Sequence, residues 1–150
     1  MVSSQCATVR ERGRSGFFHV SQKVDYSLFF LTSLSRQNVP CSIRMIAKEG
    51  GLSFSFLQKI AHLLKRANLV AAERGKEGGY LLARSPMRIT VKDVIEAVDG
   101  TIAMFACTER SRKQALCPKR NFCRVRSEIQ EVQKEIANAY LLKKLSDFIV

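Results

Sequence analysis

The segment Ser42-Ile-Arg-Met-Ile-Ala-Lys-Glu-Gly-Gly-Leu-Ser53-Phe-Ser-Phe-Leu-Gln-Lys-Ile60 decides the fold of this chain. Ser42 and Ser53 stand where two successive helices need an N-cap. The first helix is predicted over Ile43–Lys48 and ends at Gly50-Gly51, and the second runs from Phe54 to about Ala67. The second helix has apolar residues at i, i+3, i+4 and i+7, namely Leu57, Ile60, Ala61 and Leu64. Two helices joined by a short glycine-containing turn are typical of a helix-turn-helix.

The polar side chains of the second helix face away from its apolar stripe. Short polar and basic groups early on such a helix suit contacts in the DNA major groove. A solvated helix face is the alternative that this pattern alone leaves open. The residues predicted to contact base edges are Ser53, Ser55, Gln58 and Lys59.

A β-hairpin is predicted directly after the second helix. Residues 69–74 form the first strand, the glycine-rich residues 75–79 the turn, and residues 80–84 the second strand. A hairpin in this position makes the unit a winged helix. Arg74 and Lys76 place positive charge on the wing, where DNA phosphates or the minor groove would lie.

The flanking segments complete a predicted winged-helix domain over residues 17–100. An amphipathic helix over 21–37, with Asp25 as its only acid, precedes the helix-turn-helix. A Thr90–Asp93 capping box opens another helix that ends near Val98. Residues 1–16 are interpreted as a disordered basic tail, with an upstream start codon that adds nothing functional as the alternative. The predicted fold class is mainly α, with a small β-hairpin wing and a long C-terminal helix.

One long helix is predicted from about Arg124 to Leu145, within the C-terminal segment 124–150. Its apolar residues step by 4, 3, 4 and 3 positions, which is the period of a coiled coil. Packing on its own domain is the alternative to a dimerisation helix. A winged helix that reads a palindrome needs a dimer, so a homodimer is the preferred interpretation. The seam consists of Val125, Ile129, Val132, Ile136 and Ala139.

Residues 101–123, here called the cysteine loop, carry three of the five cysteines within seventeen residues. Basic residues and few apolar ones separate Cys107, Cys117 and Cys123, so this segment cannot bury itself as a core element. Clustered thiols in a basic loop indicate metal ligation, an iron–sulfur cluster or a thiol switch. Three reduced cysteines without a ligand are the plainer alternative.

The charge of the chain favours a polyanionic partner. There are 25 Lys and Arg against 13 Asp and Glu, a formal net charge of +12. Double-stranded DNA is the expected partner and an anionic membrane surface the next. No apolar run is long enough to span a bilayer, no export signal is evident, and an odd cysteine number fits a reduced cytoplasmic setting. The two histidines form no catalytic set with Ser, Cys or Asp, so an enzyme is not expected.

From about residue 20 to the C-terminus the chain resembles the IscR/NsrR-type winged-helix regulators, the iron–sulfur and nitric-oxide sensing repressors of the Rrf-two family. The wing motif Gly78-Gly79-Tyr80-Leu-Leu-Ala-Arg84 and the last helix of the domain are the most specific parts. The matching segments are residues 24–28, 42–47, 52–60, 69–70, 74–75, 78–84 and 89–100, followed by the three cysteines and the long helix.

The resemblance implies a homodimer that binds a palindromic operator through the second helix and the wing. It also implies an iron–sulfur cluster held by Cys107, Cys117 and Cys123, of the 2Fe–2S type with 4Fe–4S as the alternative. Some members use a histidine three residues after the third cysteine, where this chain has Arg126. Asp25 matches the position of an aspartate that nitric-oxide-sensing members supply from the partner subunit, and it is therefore the candidate fourth ligand.

Two other functions remain open at this point. The same fold could work without a cluster, the three cysteines binding zinc or acting as a thiol switch. A protein of another class, a structural adaptor, would use the long helix to bind a partner protein and leave its basic face solvated.

Overall fold

The structure is a computed structural model that describes residues 20–37, 39–75, 78–100 and 123–149. Its elements confirm a mainly helical fold with one two-stranded hairpin. The predicted tail at residues 1–16 lies outside the described residues. In chain order the elements are α1 (Gln22–Ser35), α2 (Ile43–Glu49), α3 (Phe54–Arg66), β1 (Val70–Glu73), β2 (Gly79–Leu82), a 3-10 turn (Pro86–Arg88), α4 (Val91–Val98), α5 (Arg124–Ile136), a π turn (Ala137–Leu141) and a 3-10 turn (Leu145–Phe148).

Local signals set the helix ends. The Ser21 side chain accepts a hydrogen bond from the Val24 amide at the start of α1, and Ser42 does the same for α2. Thr90 and Asp93 form the expected reciprocal capping box at α4. Asn68 has a φ of 56°, a left-handed conformation that lets the chain leave α3 and enter the hairpin.

The core lies where α1, α3 and α4 meet. Phe30 and Leu31 on α1 are fully buried, as are Leu57 and Leu64 on α3 and Val94 on α4. Among the described residues, the polar exception is Ser27, whose Oγ donates to the Lys23 carbonyl oxygen at 2.6 Å, so its burial leaves no unpaired hydroxyl.

The hairpin is held against the start of α2 by a third segment of extended backbone. Cys41 and Tyr80 exchange two backbone hydrogen bonds of 2.8 Å, and the Tyr80 ring lies edge-on to Phe30 with centroids 5.9 Å apart. A Cβ at Gly79 would lie 2.5 to 2.9 Å from backbone atoms of Cys41, so only glycine fits there. The wing therefore has a fixed position relative to the helix-turn-helix.

The C-terminal helix differs from the prediction. The α-helix ends at Ile136 rather than Leu145, and the chain continues through the π turn into a segment that returns to the core. The Leu145 amide donates to the Ile89 carbonyl oxygen at 2.8 Å, and the Val91 amide donates to that of Lys143 at 2.9 Å. Leu145 is 1% exposed, so its side chain is part of the core. A helix that continued straight to Leu145 would not have buried this side chain.

Within the described ranges, no helix combines the length and the apolar character needed to cross a membrane.

Leu145→Ala is expected to lower the free energy of unfolding by about 2–5 kcal/mol, because it leaves a cavity in the core. The matched control is Leu142→Ala, since Leu142 is 53% exposed three residues earlier. That control is expected to stay within about 0.5 kcal/mol of the wild type in urea denaturation. Equal losses in the two variants would contradict the C-terminal packing described here.

Candidate nucleic-acid interface and cysteine site

The helix α3 presents a polar face to solvent because its opposite face is committed to the core. Leu57, Ile60, Ala61 and Leu64 are each at most 1% exposed. At 100° per residue, the positions opposite this stripe point outward, while Phe56 and Leu63 at its margins are partly buried. The four residues predicted to contact bases, Ser53, Ser55, Gln58 and Lys59, are all exposed on this side.

The N-terminus of α3 has no side-chain cap, although Ser53 stands at the capping position. Its hydroxyl lies 3.1 Å from that of Ser55 and makes no capping hydrogen bond. The first backbone N–H groups of α3 therefore have no side-chain acceptor, and a phosphate oxygen could accept from them. The two hydroxyls are exposed and can donate or accept.

The helix-turn-helix surface is strongly basic. Across α2 and α3 the only acid is Glu49, and the described ion pairs, Lys23–Asp99, Lys92–Glu96 and Lys134–Glu131, lie elsewhere. Of the exposed cations on this surface, only Lys59 was predicted from the sequence as a DNA contact, although the others also occupy positions outside the apolar stripe. The exposed cations are Arg44, Lys48, Lys59, Lys65 and Arg66.

The wing carries one of its two predicted cations in the described part of the chain. Arg74 is exposed directly after β1, whereas Lys76 lies outside the described residues. Arg84, which sequence reasoning did not single out, donates from Nη2 to the Ala67 carbonyl oxygen at 3.3 Å. This bond ties the end of the hairpin to the C-terminus of α3, where unpaired carbonyl groups favour a cation.

Of the three loop cysteines, only Cys123 lies in the described part of the chain. It occupies the position before α5, is partly exposed, and is neither disulfide-bonded nor used as a side-chain cap. Cys107 and Cys117 lie outside the described residues. Among the residues that are described, no three His, Cys, Asp or Glu side chains come together as a metal site.

Cys41 is a buried side chain of the core, at the junction between the hairpin and α2. It is 5% exposed and donates to Gln37 Oε1 at 3.1 Å. Burial, and after it the negative charge of Glu49, raises the pKa of the Cys41 thiol. A protonated, enclosed thiol is a poor nucleophile and a poor metal ligand.

The first turn of α1 contacts the residue that ends α4. The Ser21 hydroxyl donates to the Asp99 carboxylate, and Lys23 Nζ lies 3.3 Å from Asp99 Oδ1. Asp99 and Gly100 immediately precede the cysteine loop in the chain. Asp25 is exposed in this same first turn of α1.

The next residue along α1 contacts the start of α3. The ring of Tyr26 lies edge-on to that of Phe56 in the first turn of α3, with centroids 5.6 Å apart. The helix α1 and its N-cap thus contact both Asp99, at the end of α4, and the start of α3.

The apolar seam of α5 is open in the single chain. Val125 is 63% exposed and Val132 is 45% exposed, and no residue of Arg124–Ile136 is fully buried. Apolar side chains in a regular row of this kind usually have a covering partner.

Comparison with known proteins agrees with this architecture. The HTH-type transcriptional regulator rrf2-like of Rhodobacter capsulatus is 33% identical over 120 residues, covering 75% of this chain and 80% of that protein. The HTH-type transcriptional regulator CymR of Bacillus subtilis is 30% identical over 115 residues, covering 75% and 81%. The solved structure of T. potens IscR superposes with a TM-score of 0.67 at 28% identity, covering 87% of this chain and 85% of that one.

A family model described as Rrf2, iron-dependent transcriptional regulator, matches residues 20–149, which include every element from α1 to the last 3-10 turn. This chain belongs to the Rrf2 family of winged-helix transcriptional regulators.

Proposed function

We propose that this regulator is a homodimeric repressor that binds a palindromic operator and senses redox state, iron–sulfur status or nitric oxide. The second helix of the helix-turn-helix and the wing contact the DNA. An iron–sulfur cluster held by Cys107, Cys117 and Cys123 is the sensor. The observation that carries the DNA-binding part is the exposed, acid-free face of α3 beside a wing fixed in place.

The helical form and the side chains of α3 suit duplex DNA. An α-helix fits the major groove of B-DNA, and amide and ammonium side chains on it can bond to base edges. Gln58 and Lys59 occupy such positions one turn into α3. Arg74 lies on the adjacent hairpin, where a backbone phosphate would neutralise it.

The open seam of α5 supports the homodimer. A second copy of the same helix covers apolar residues at this spacing by knobs-into-holes packing. A two-fold axis between the helices repeats α3 in two copies, which matches an operator with two-fold symmetry.

The chemistry of the cysteine loop supports the cluster. Thiolates are the ordinary ligands of iron–sulfur centres, and Cys123 is a free, partly exposed thiol at the start of α5. When bound, such a cluster supplies reversible electron transfer and reactivity toward nitric oxide. Asp25 of the partner subunit is the proposed fourth ligand, because it matches the aspartate of nitric-oxide-sensing members and its carboxylate is exposed. Arg126 stands where some members have a histidine ligand.

The contacts of α1 give the cysteine loop a path to DNA. Ser21 and Lys23 hold Asp99 beside the first turn of α1, and Tyr26 packs on Phe56. A displacement of the residues next to Asp99 would therefore move α1, and with it the start of α3. The ion pair is partly exposed and contributes about 0.2–1 kcal/mol, so the link can be remade as the protein switches.

A second candidate is the same regulator without a cluster, using its thiols directly or binding zinc. The likeness to B. subtilis CymR favours it, because the solved structure of that protein, which is described as the global cysteine regulator, superposes with a TM-score of 0.65 at 26% identity. Iron and sulfide analysis of anaerobically purified protein separates the two candidates. Zinc without iron or sulfide would support the second.

Two substitutions on α3 test DNA binding, with a fragment that the wild-type protein selects from a random library as the probe. Gln58→Ala is expected to weaken binding by about 1–3 kcal/mol, if its amide bonds to a base edge. Lys59→Ala is expected to weaken binding and to relax the preference for the base that its ammonium contacts.

The matched control for charge is Lys92→Ala, an exposed lysine on α4 that pairs with Glu96. It removes the same charge away from the proposed interface, so its binding curve should overlay that of the wild type. If Lys92→Ala weakened binding as much as Lys59→Ala, the attraction would be non-specific and α3 would lose its assigned role.

Three further substitutions test the cluster ligands. Cys123→Ala and Asp25→Ala proteins, purified without oxygen, are expected to lose or destabilise the visible absorbance of the cluster. Cys41→Ala is the control, because that thiol is enclosed by the fold, and it should keep the full iron and sulfide content. An unchanged spectrum in Asp25→Ala would remove Asp25 from the site, and an unchanged spectrum in Cys123→Ala would remove Cys123 from it.

A further inference from the structure

The first residue of α3 is an aromatic ring with no place in the core. Phe54 is 42% exposed, although the neighbouring Phe56 packs on Tyr26 and Leu57 is fully buried. Single exposed apolar side chains are common on protein surfaces, so the significance of Phe54 lies in its position on α3 and in its neighbours.

The direction of Phe54 is set by the helix. Positions four apart lie on the same side of an α-helix, so Phe54 lines up with Gln58 and, one turn further, with His62. Gln58 and His62 are both exposed. The ring therefore begins the outward stripe of the recognition helix, next to the hydroxyls of Ser53 and Ser55.

A cation from the preceding helix limits the freedom of the ring. The guanidinium carbon of Arg44 on α2 lies 5.5 Å from the centroid of Phe54, a cation–π distance. The contact spans the turn between α2 and α3. It presents the ring and a positive charge side by side, which suits a surface that is apolar at one point and anionic next to it.

We propose that Phe54 reads a thymine by packing against its C5 methyl group in the major groove, with Arg44 as the residue that positions the ring. The inference rests on the proposed DNA binding and adds one specific base to it. The thymine methyl is the main apolar group on the floor of the major groove, and phosphates lie at its edges. The charge around the ring favours this polyanion as the occupant over a protein partner: Arg44, Lys48 and Lys59 are exposed on the same two helices, with Glu49 as their only acid.

The test deletes the methyl group from the DNA instead of changing the protein alone. Each thymine of the fragment selected by the wild-type protein is replaced in turn by deoxyuridine, which keeps every hydrogen-bonding group. One position in each half-site is expected to lose about fourfold in affinity per methyl removed. In Phe54→Ala that loss should disappear, whereas Phe54→Leu should retain most of it.

Arg44→Ala separates positioning from charge. If Arg44 holds the ring, this variant shows a smaller thymine-to-deoxyuridine ratio at the same position as well as weaker binding. If the thymine-to-deoxyuridine affinity ratio of Arg44→Ala equalled that of the wild type, Arg44 would not position the ring. A purely electrostatic effect of Arg44 would change only the slope of log K against log salt.

The outcomes separate this inference from the proposed function. If the wild type retards no DNA from the library, the DNA-binding proposal fails. If it binds but no deoxyuridine position matters, or the same positions matter equally in Phe54→Ala, then Phe54 does not read a methyl. If Phe54→Ala keeps normal DNA binding and loses binding to another protein instead, the ring is a protein contact and the inference is wrong.

Discussion

The burial of one face of α3 between α1 and α4 is the constraint on which the rest of the structure depends. Leu57 and Leu64 have no solvent exposure, so the rotation of this helix about its axis is fixed. The opposite residues then have only one direction available, which is away from the core. The direction of the polar and basic face of α3 is therefore set by the burial of its apolar face. The hydrogen bonds of Cys41 with Tyr80 and of Arg84 with Ala67 place the wing relative to that face.

Most of this arrangement could be predicted from the sequence because its signals are local. Serine and threonine caps, the glycine turns, Asn68 and a 3.6-residue period in α3 each act within a few residues of chain. The outward direction of Gln58 and Lys59 needs nothing more than that period. The family resemblance rests on the same stretches and is confirmed by the family match over residues 20–149.

The features that escaped prediction depend on contacts between distant parts of the chain. The seam of α5 predicted a helix to Leu145, but burial of Leu145 beside Ile89 stops it at Ile136 and bends the backbone through a π turn. The bond from Arg84 to Ala67 spans seventeen positions, and the contact of Ser21 with Asp99 spans seventy-eight. The periodicity of a sequence does not indicate which distant residues contact each other. The exposure of Phe54 was not predicted either, because a phenylalanine at the start of an apolar run is expected to be buried.

In this account α1 is the element that joins sensing to DNA binding, because it contacts Asp99 at one turn and the recognition helix at the next. The most direct measurement is the operator affinity of anaerobic protein before and after removal of the cluster, in the wild type and in Asp99→Ala. Wild-type affinity should change about tenfold, a typical coupling between two sites. In Asp99→Ala the affinity should change little, with cluster absorbance intact. An Asp99→Ala protein that keeps both its cluster and the full change in affinity would contradict the account.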